Sequence, residues 1–199
     1  MVTMKLLHSK KNWIFDMDGT LTLAMHDFSS IKQELGLPGH LDILTGIGLL
    51  PKEEAEEKHK KLNAIELKIA KQAQASPGTH DLLRKIREGA NQLGILTRNC
   101  FENAVETLHA ADLIRYFSQE TILCREHAEP KPSPEGIFKL LRIWNADPKE
   151  TLMIGDYIYD LDAGKSAGVE TVYIDPTGNF PFKEHATYSV KRLDEILSL

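Results

Sequence analysis

Short, unbroken apolar runs alternate along this chain with longer amphipathic ones. Asn12–Asp16, Leu93–Thr97, Thr121–Cys124, Thr151–Gly155 and Thr171–Ile174 read as strands, with a further one near Thr187–Val190. Continuous runs such as Leu152-Met153-Ile154 fit strands buried on both faces. Helical spacing predicts helices over Thr79–Glu88, Phe101–Ala110, Pro134–Asn145, Leu161–Ala167 and Lys191–Leu199. Ser133 reads as an N-cap with Pro134 at the first helical position, and Asn99 is placed to cap the helix that starts near Cys100. Gly89, Gly168 and Gly178 stand where chain reversals are expected. Strands alternating with helices predict an α/β fold, its mainly parallel sheet covered on both faces.

The alternation stops between about Ala24 and Ser76. That stretch offers a short helix at Ser29–Leu35, a Gly/Leu/Pro-rich piece from Gly36 to Pro51, and a long helix from Lys52 to about Gln74. Leu62, Ile65, Ile69 and Ala73 recur at three- and four-residue spacing, which makes one apolar stripe. Glu53, Glu54, Glu56 and Glu57 cluster where the helix dipole favours acids, and read as a solvated face. The expected organisation is a core of residues 1–23 and 77–199, with a small α-helical cap, 24–76, inserted after the first strand.

Composition narrows this only slightly. A chain of 199 residues with 42% apolar residues can bury a real core. Its net charge of −5 argues against nucleic-acid or anionic-membrane partners, which need broad basic surfaces. The two cysteines, Cys100 and Cys124, form no CxxC pair, so neither a disulfide framework nor a zinc site is expected, and a reducing cytoplasm is the simplest home. No apolar run approaches the ~18–20 residues of a membrane span. Leu6-Leu7 is too brief for a signal-peptide core ahead of Lys10-Lys11.

Candidate chemistry sits at strand ends. Asp16 follows Trp13-Ile14-Phe15, Thr97 follows Gly94-Ile95-Leu96, and Asp156 follows Leu152-Met153-Ile154-Gly155. In an open parallel sheet that edge is where ligands bind, so three distant segments should meet in one crevice. Asp16, Asp18, Asp156 and Asp160 would repel one another there, and a hard divalent cation relieves the repulsion. Magnesium is the expected metal because it pairs naturally with phosphate. Lys131, stiffened by Pro130, Pro132 and Pro134, supplies a fixed positive charge.

These residues resemble the motif set of the haloacid dehalogenase superfamily, specifically its phosphatase branch. Asp16 to Thr20 match Asp-x-Asp-Gly-Thr, Thr97 the Thr after an apolar strand, Lys131 the lysine motif, and Gly155, Asp156 and Asp160 match Gly-Asp-x-x-x-Asp. The resemblance implies a three-layer αβα Rossmann-like core with a helical cap. It further implies a phosphoglycolate-phosphatase-like enzyme acting on a small phosphorylated metabolite. In that mechanism Asp16 attacks phosphorus and carries an aspartyl-phosphate, while Asp18 serves as acid and then base. The Asp16 carboxylate, the Asp18 main-chain carbonyl and Asp156 hold magnesium, and Asp160 orients Asp156 or a bound water. Thr97 and Lys131, with the backbone N–H groups of Met17, Asp18 and Arg98, contact the phosphoryl oxygens. Arg98 and Asn99 could also reach substrate, and His26 and Asp27 could line the entrance.

Rival readings are a β-phosphoglucomutase-like sugar phosphomutase and a non-catalytic phosphate-binding protein. Thr20 leans toward phosphatases, since mutases usually carry Val there. A dehalogenase would not need the acidic cluster, and phosphonate cleavage lacks a cap lysine placed for a Schiff base. Gly164-Lys165-Ser166 imitates the end of a P-loop, but Tyr159 stands where its first glycine belongs. Between Lys32 and Lys52 the cap holds no Lys or Arg, which disfavours a second anionic group clamped by that loop. Oligomeric state is left open.

Overall fold

In the computed structural model the described residues are 5–199, so positions 1–4 of the expected core lie outside them. Helix α1 (Lys5–Ser9) precedes β1 (Asn12–Phe15). Three helices follow: α2 (Phe28–Leu35), α3 (Ile43–Gly48) and α4 (Lys52–Ala70). Then come α5 (Thr79–Glu88), β2 (Gln92–Leu96), α6 (Phe101–Ala110) and β3 (Ile122–Leu123). The chain ends with α7 (Glu135–Trp144), β4 (Thr151–Gly155), α8 (Ile158–Ala167), β5 (Glu170–Ile174) and β6 (Tyr188–Val190).

The strands form one six-stranded sheet in the order β3-β2-β1-β4-β5-β6, every neighbouring pair parallel. Side-chain alternation splits the core in two. Trp13 and Phe15 of β1 join Leu93, Ile95, Leu152 and Ile154 against α1, α5 and α6, while Ile14, Leu96 and Met153 face α7 and α8. Gly94 is glycine for a packing reason: a Cβ there would lie 2.7 Å from the Trp144 ring. Strand order reverses between β1 and β4, and the carboxyl ends at such a switch point form a crevice.

The inserted helices have a separate apolar cluster of Ile31, Leu35, Leu37, Ile43, Ile47 and Leu62, and α4 also lies along α6. Four expectations need correction. The long helix ends at Ala70 rather than Gln74, because Leu21–Leu23 and Gln74–Ser76 bond to each other: Leu23 N–H donates to Gln74 O and Ser76 N–H to Leu21 O. The Gly/Leu/Pro-rich piece contains α3, whose first turn is capped by the Asp42 carboxylate accepting from Thr45 N–H. Helix α7 begins after Pro134, with Ser133 Oγ accepting from Glu135 N–H. The C-terminal helix is a 3₁₀ segment, Leu193–Ser198, held to the core by buried Leu193 and Ile196. Glu53, Glu54, Glu56 and Glu57 are exposed, and Gly164 sits inside α8 against Thr171 rather than in a phosphate loop. Among the described residues no helix is long and apolar enough to cross a membrane.

Candidate active site

Asp16 leaves the end of β1 with its N–H donating to Ile154 O on β4, which places its carboxylate over the switch point. The turn that follows needs Gly19. Its φ is +92°, and a Cβ there would lie 2.4 Å from Asp156 Oδ2. Gly155 is equally constrained, since a Cβ would lie 2.2 Å from the Asp160 carboxyl carbon. The glycines beside the aspartates are therefore what lets these carboxylates approach the backbone.

Lys131, 3% exposed, donates to Asp16 Oδ1 and meets Asp160 Oδ1, both at 2.6 Å. Burial works against its charge, but Asp16 and Asp160 outweigh it and hold the ammonium above its ordinary pKa. The other Asp160 oxygen accepts from Tyr157 N–H at 3.0 Å, so neither oxygen is free of a protein donor. Burial, then Asp16, pushes Asp160 up to about 6 despite Lys131. Burial, then Asp16 and Asp160, pushes Asp156 up to about 8, and Thr20 Oγ1 donates to it at 3.2 Å. Asp18 is pushed up to about 7 by burial and by the charges of Asp16 and Glu66.

Carboxylate oxygens of Asp16, Asp156 and Asp160 lie within 4.8 Å of one another. They are hard donors of the kind magnesium takes, and with Asp160 committed to Lys131 and Tyr157, Asp16 and Asp156 are the better placed. The surrounding cleft has a volume of about 340 Å³ and lies between the sheet edge and α2–α4. Among the described residues lining it, six carboxylates face four Lys or Arg side chains, so one divalent cation would bring its formal charge to zero. The donor set fits such an ion.

The remaining predicted residues fall as follows. Thr97 is buried at the end of β2, its Oγ1 accepting from Asn99 N–H at 3.1 Å. Asn99 does not cap α6, because the helix starts at Phe101 with Cys100 in the N-cap position; the Asn99 amide instead donates to Asp18 Oδ2 at 2.6 Å. Met17 is fully buried in the core, so only its main chain can serve a ligand. Arg98 bonds to Asp42 across the cleft and stacks 4.8 Å over the Tyr159 ring. His26 lines the cleft with Nδ1 3.9 Å from Asp18 Oδ1, and burial lowers its pKa despite Asp16; Asp27 instead caps α2.

Sequence reasoning missed Arg125 and Glu66. Arg125 Nη2 donates to Glu66 Oε2 at 3.0 Å and to Asn63 Oδ1, while its Nη1 donates to Arg98 O at 3.0 Å. A signal existed, for Arg125 stands just past the β3 run as Asp16 stands past β1. A second donor grouping, Cys124, Glu126 and His127, also formed where no metal spacing was expected. His127 Nδ1 already accepts Cys124 N–H at 3.0 Å, and burial pushes the Cys124 thiol up to about 12, so this grouping is poorly prepared to bind an ion.

Comparison with known proteins places the chain in a family. Residues 13–174 match the family model described as haloacid dehalogenase-like hydrolase. An uncharacterized hydrolase of Saccharomyces cerevisiae is 33% identical over 94% of this chain and 88% of its own. A pyrophosphatase of Listeria innocua is 31% identical over 77% of this chain and 78% of its own. A hydrolase from Pseudomonas syringae shares the fold, with a TM-score of 0.76 at 24% identity over 94% of this chain and 95% of that one. With both the family model and the yeast relative running through the strand-end residues, the chain belongs to the haloacid dehalogenase-like hydrolases.

Proposed function

We propose that this hydrolase is a magnesium-dependent phosphatase that cleaves a small phosphomonoester through an aspartyl-phosphate on Asp16. The observation that carries the reading is the convergence of Asp16, Asp156 and Asp160 around Lys131 beside Thr97, at the switch point of the sheet. With Oδ1 on Lys131, Asp16 keeps its second oxygen for attack on phosphorus. Thr97 and the backbone N–H groups of Met17, Asp18 and Arg98 hold the phosphoryl oxygens, and Lys131 offsets their charge.

Asp18, pushed up to about 7, keeps a protonated fraction at neutral pH that can give its proton to the leaving oxygen. The resulting carboxylate then takes a proton from water as that water attacks the acyl-phosphate, which restores Asp16. Asn99 fixes the Asp18 carboxyl throughout. The Asp16 carboxylate, the Asp18 carbonyl and Asp156 would hold magnesium, with Asp160 as a positioning residue. When bound, the metal supplies charge neutralisation at the phosphoryl group. Residues 24–76 act as the cap over the leaving group, against a core of 1–23 and 77–199.

A phosphomutase is disfavoured because the Thr20 hydroxyl, which a Val would lack, bonds to Asp156. The partner is a phosphorylated metabolite rather than nucleic acid or membrane, and two buried free cysteines suit the reducing cytoplasm. Turnover of p-nitrophenyl phosphate with and without magnesium tests the reading. Metal-dependent release of nitrophenol is expected; no hydrolysis of any phosphate ester, with no magnesium binding, would favour a non-catalytic protein.

A further inference from the structure

We infer that the leaving group accepted by this cleft is an uncharged alcohol carrying a ring, a conclusion that rests on the phosphatase reading and narrows its substrate class. Beyond Lys131, the arginines that line the cleft are already matched with carboxylates from the insert. Arg98 meets Asp42, with side chains 25% and 27% exposed, and Arg125 meets Glu66, with side chains only 9% and 11% exposed. Lys32 turns its ammonium onto the Gly39 carbonyl at 2.9 Å. A carboxylate or second phosphate on the leaving group would have to displace Asp42 or Glu66 from its arginine. The displaced acid would then remain partly desolvated and unpaired.

What the cleft offers instead is flat and apolar. Tyr159 presents one ring face to the Arg98 guanidinium and meets Tyr157 edge-on at 5.0 Å. Phe28, 59% exposed and also lining the cleft, stacks on His26 at 5.6 Å with ring planes 13° apart. Leu62 and Ile43 of the insert also line the cleft. An aryl group, a nucleoside or the apolar face of a sugar can lie against such walls, and burial of a ring is worth roughly tenfold or more in binding.

Two matched pairs of phosphomonoesters, assayed with magnesium on the whole protein, test this. The uncharged amide of 2-phosphoglycolate should exceed 2-phosphoglycolate itself by about tenfold in kcat/KM. Benzyl phosphate should exceed ethyl phosphate by roughly tenfold or more. Asp42→Asn keeps an oxygen to cap Thr45 but removes the charge that occupies Arg98. In that variant 2-phosphoglycolate should gain on its amide by several-fold, and an unchanged ratio would overturn the role given to the pair. Equal or better use of 2-phosphoglycolate, or of ethyl phosphate, by the wild type would overturn the inference while leaving a phosphatase. Failure to hydrolyse any of the four esters or p-nitrophenyl phosphate would instead remove the reading beneath it. The wild-type comparison decides the matter even if the variant does not fold.

Discussion

On the sheet side of the cleft one cation serves two acids, Lys131 lying 2.6 Å from both Asp16 and Asp160, with Asp156 and Asp18 left over. On the insert side the matching is one to one, Arg98 with Asp42 and Arg125 with Glu66. The surplus of negative charge therefore lies at the sheet edge, where carboxyls are pushed up to about 6, 7 and 8. That imbalance is what a divalent cation would offset, leaving Lys131 and the metal to meet the anionic phosphoryl group. The balanced wall has no such demand. On the proposed reading, charge surplus lies on the reacting side and charge pairing on the side that selects.

The contrast breaks most sharply at Asp16. Asp16→Asn removes the proposed nucleophile and should lower kcat by about 10⁴-fold or more, measured with p-nitrophenyl phosphate and magnesium. Asp18→Asn should lower kcat/KM, which reports the first phosphoryl transfer, by about 10²–10⁴-fold on an alkyl phosphate, and by much less on p-nitrophenyl phosphate, whose leaving group needs no proton. Equal losses on both esters would deny Asp18 the role of acid.

Stability reports the surplus independently of turnover. Asp18, Asp156 and Asp160 titrate higher in the folded protein than the ~3.9 of an unfolded aspartate. The folded state thus holds more protons than the unfolded one between about pH 4 and 8. Their contribution to stability is complete at low pH and is lost as pH rises through about 6 to 8. Melting of the metal-free protein should fall by several degrees from pH 5 to pH 8, at ~2–4 °C per kcal/mol for a chain of this size. Magnesium should flatten that slope. A melting temperature that rises over the same range would contradict the surplus.

The smallest effect comes from the paired wall. Glu66 helps raise the Asp18 pKa, so Glu66→Gln should move the alkaline limb of the kcat/KM profile to lower pH by a fraction of a unit. A shift to higher pH would contradict the coupling.

These two walls also differ in how far they could be read from sequence. Asp16, Thr97 and Asp156 were legible because each follows a buried strand, and a parallel sheet gathers such ends at one edge. The same position does not guarantee function: Asp175 follows β5 yet spends its oxygens on Thr177 and Phe180 N–H in a turn. The insert side was opaque because its chemistry lies in pairs distant in sequence. Glu66 sits beside an apolar helical stripe and Asp42 in a Gly-rich stretch, and neither shows its arginine partner locally. Asn99 misled for a related reason: α6 starts one residue beyond the local capping pattern, and the Asn99 amide bonds to Asp18, 81 residues away in the chain. Helix α3 was hidden because Gly46 and Gly48 lower its propensity, while its buried Ile43 and Ile47 join the apolar cluster of the insert.

Covalent chemistry at Asp16 can be read by chemical trapping. Protein mixed with magnesium and a phosphomonoester, then quenched with borohydride, should have an acyl-phosphate reduced to the alcohol. Peptide mass spectrometry should find homoserine at position 16, dependent on substrate and absent from Asp16→Asn. Steady turnover with position 16 unmodified, or with the modification on Asp18, Asp156 or Asp160, would contradict it.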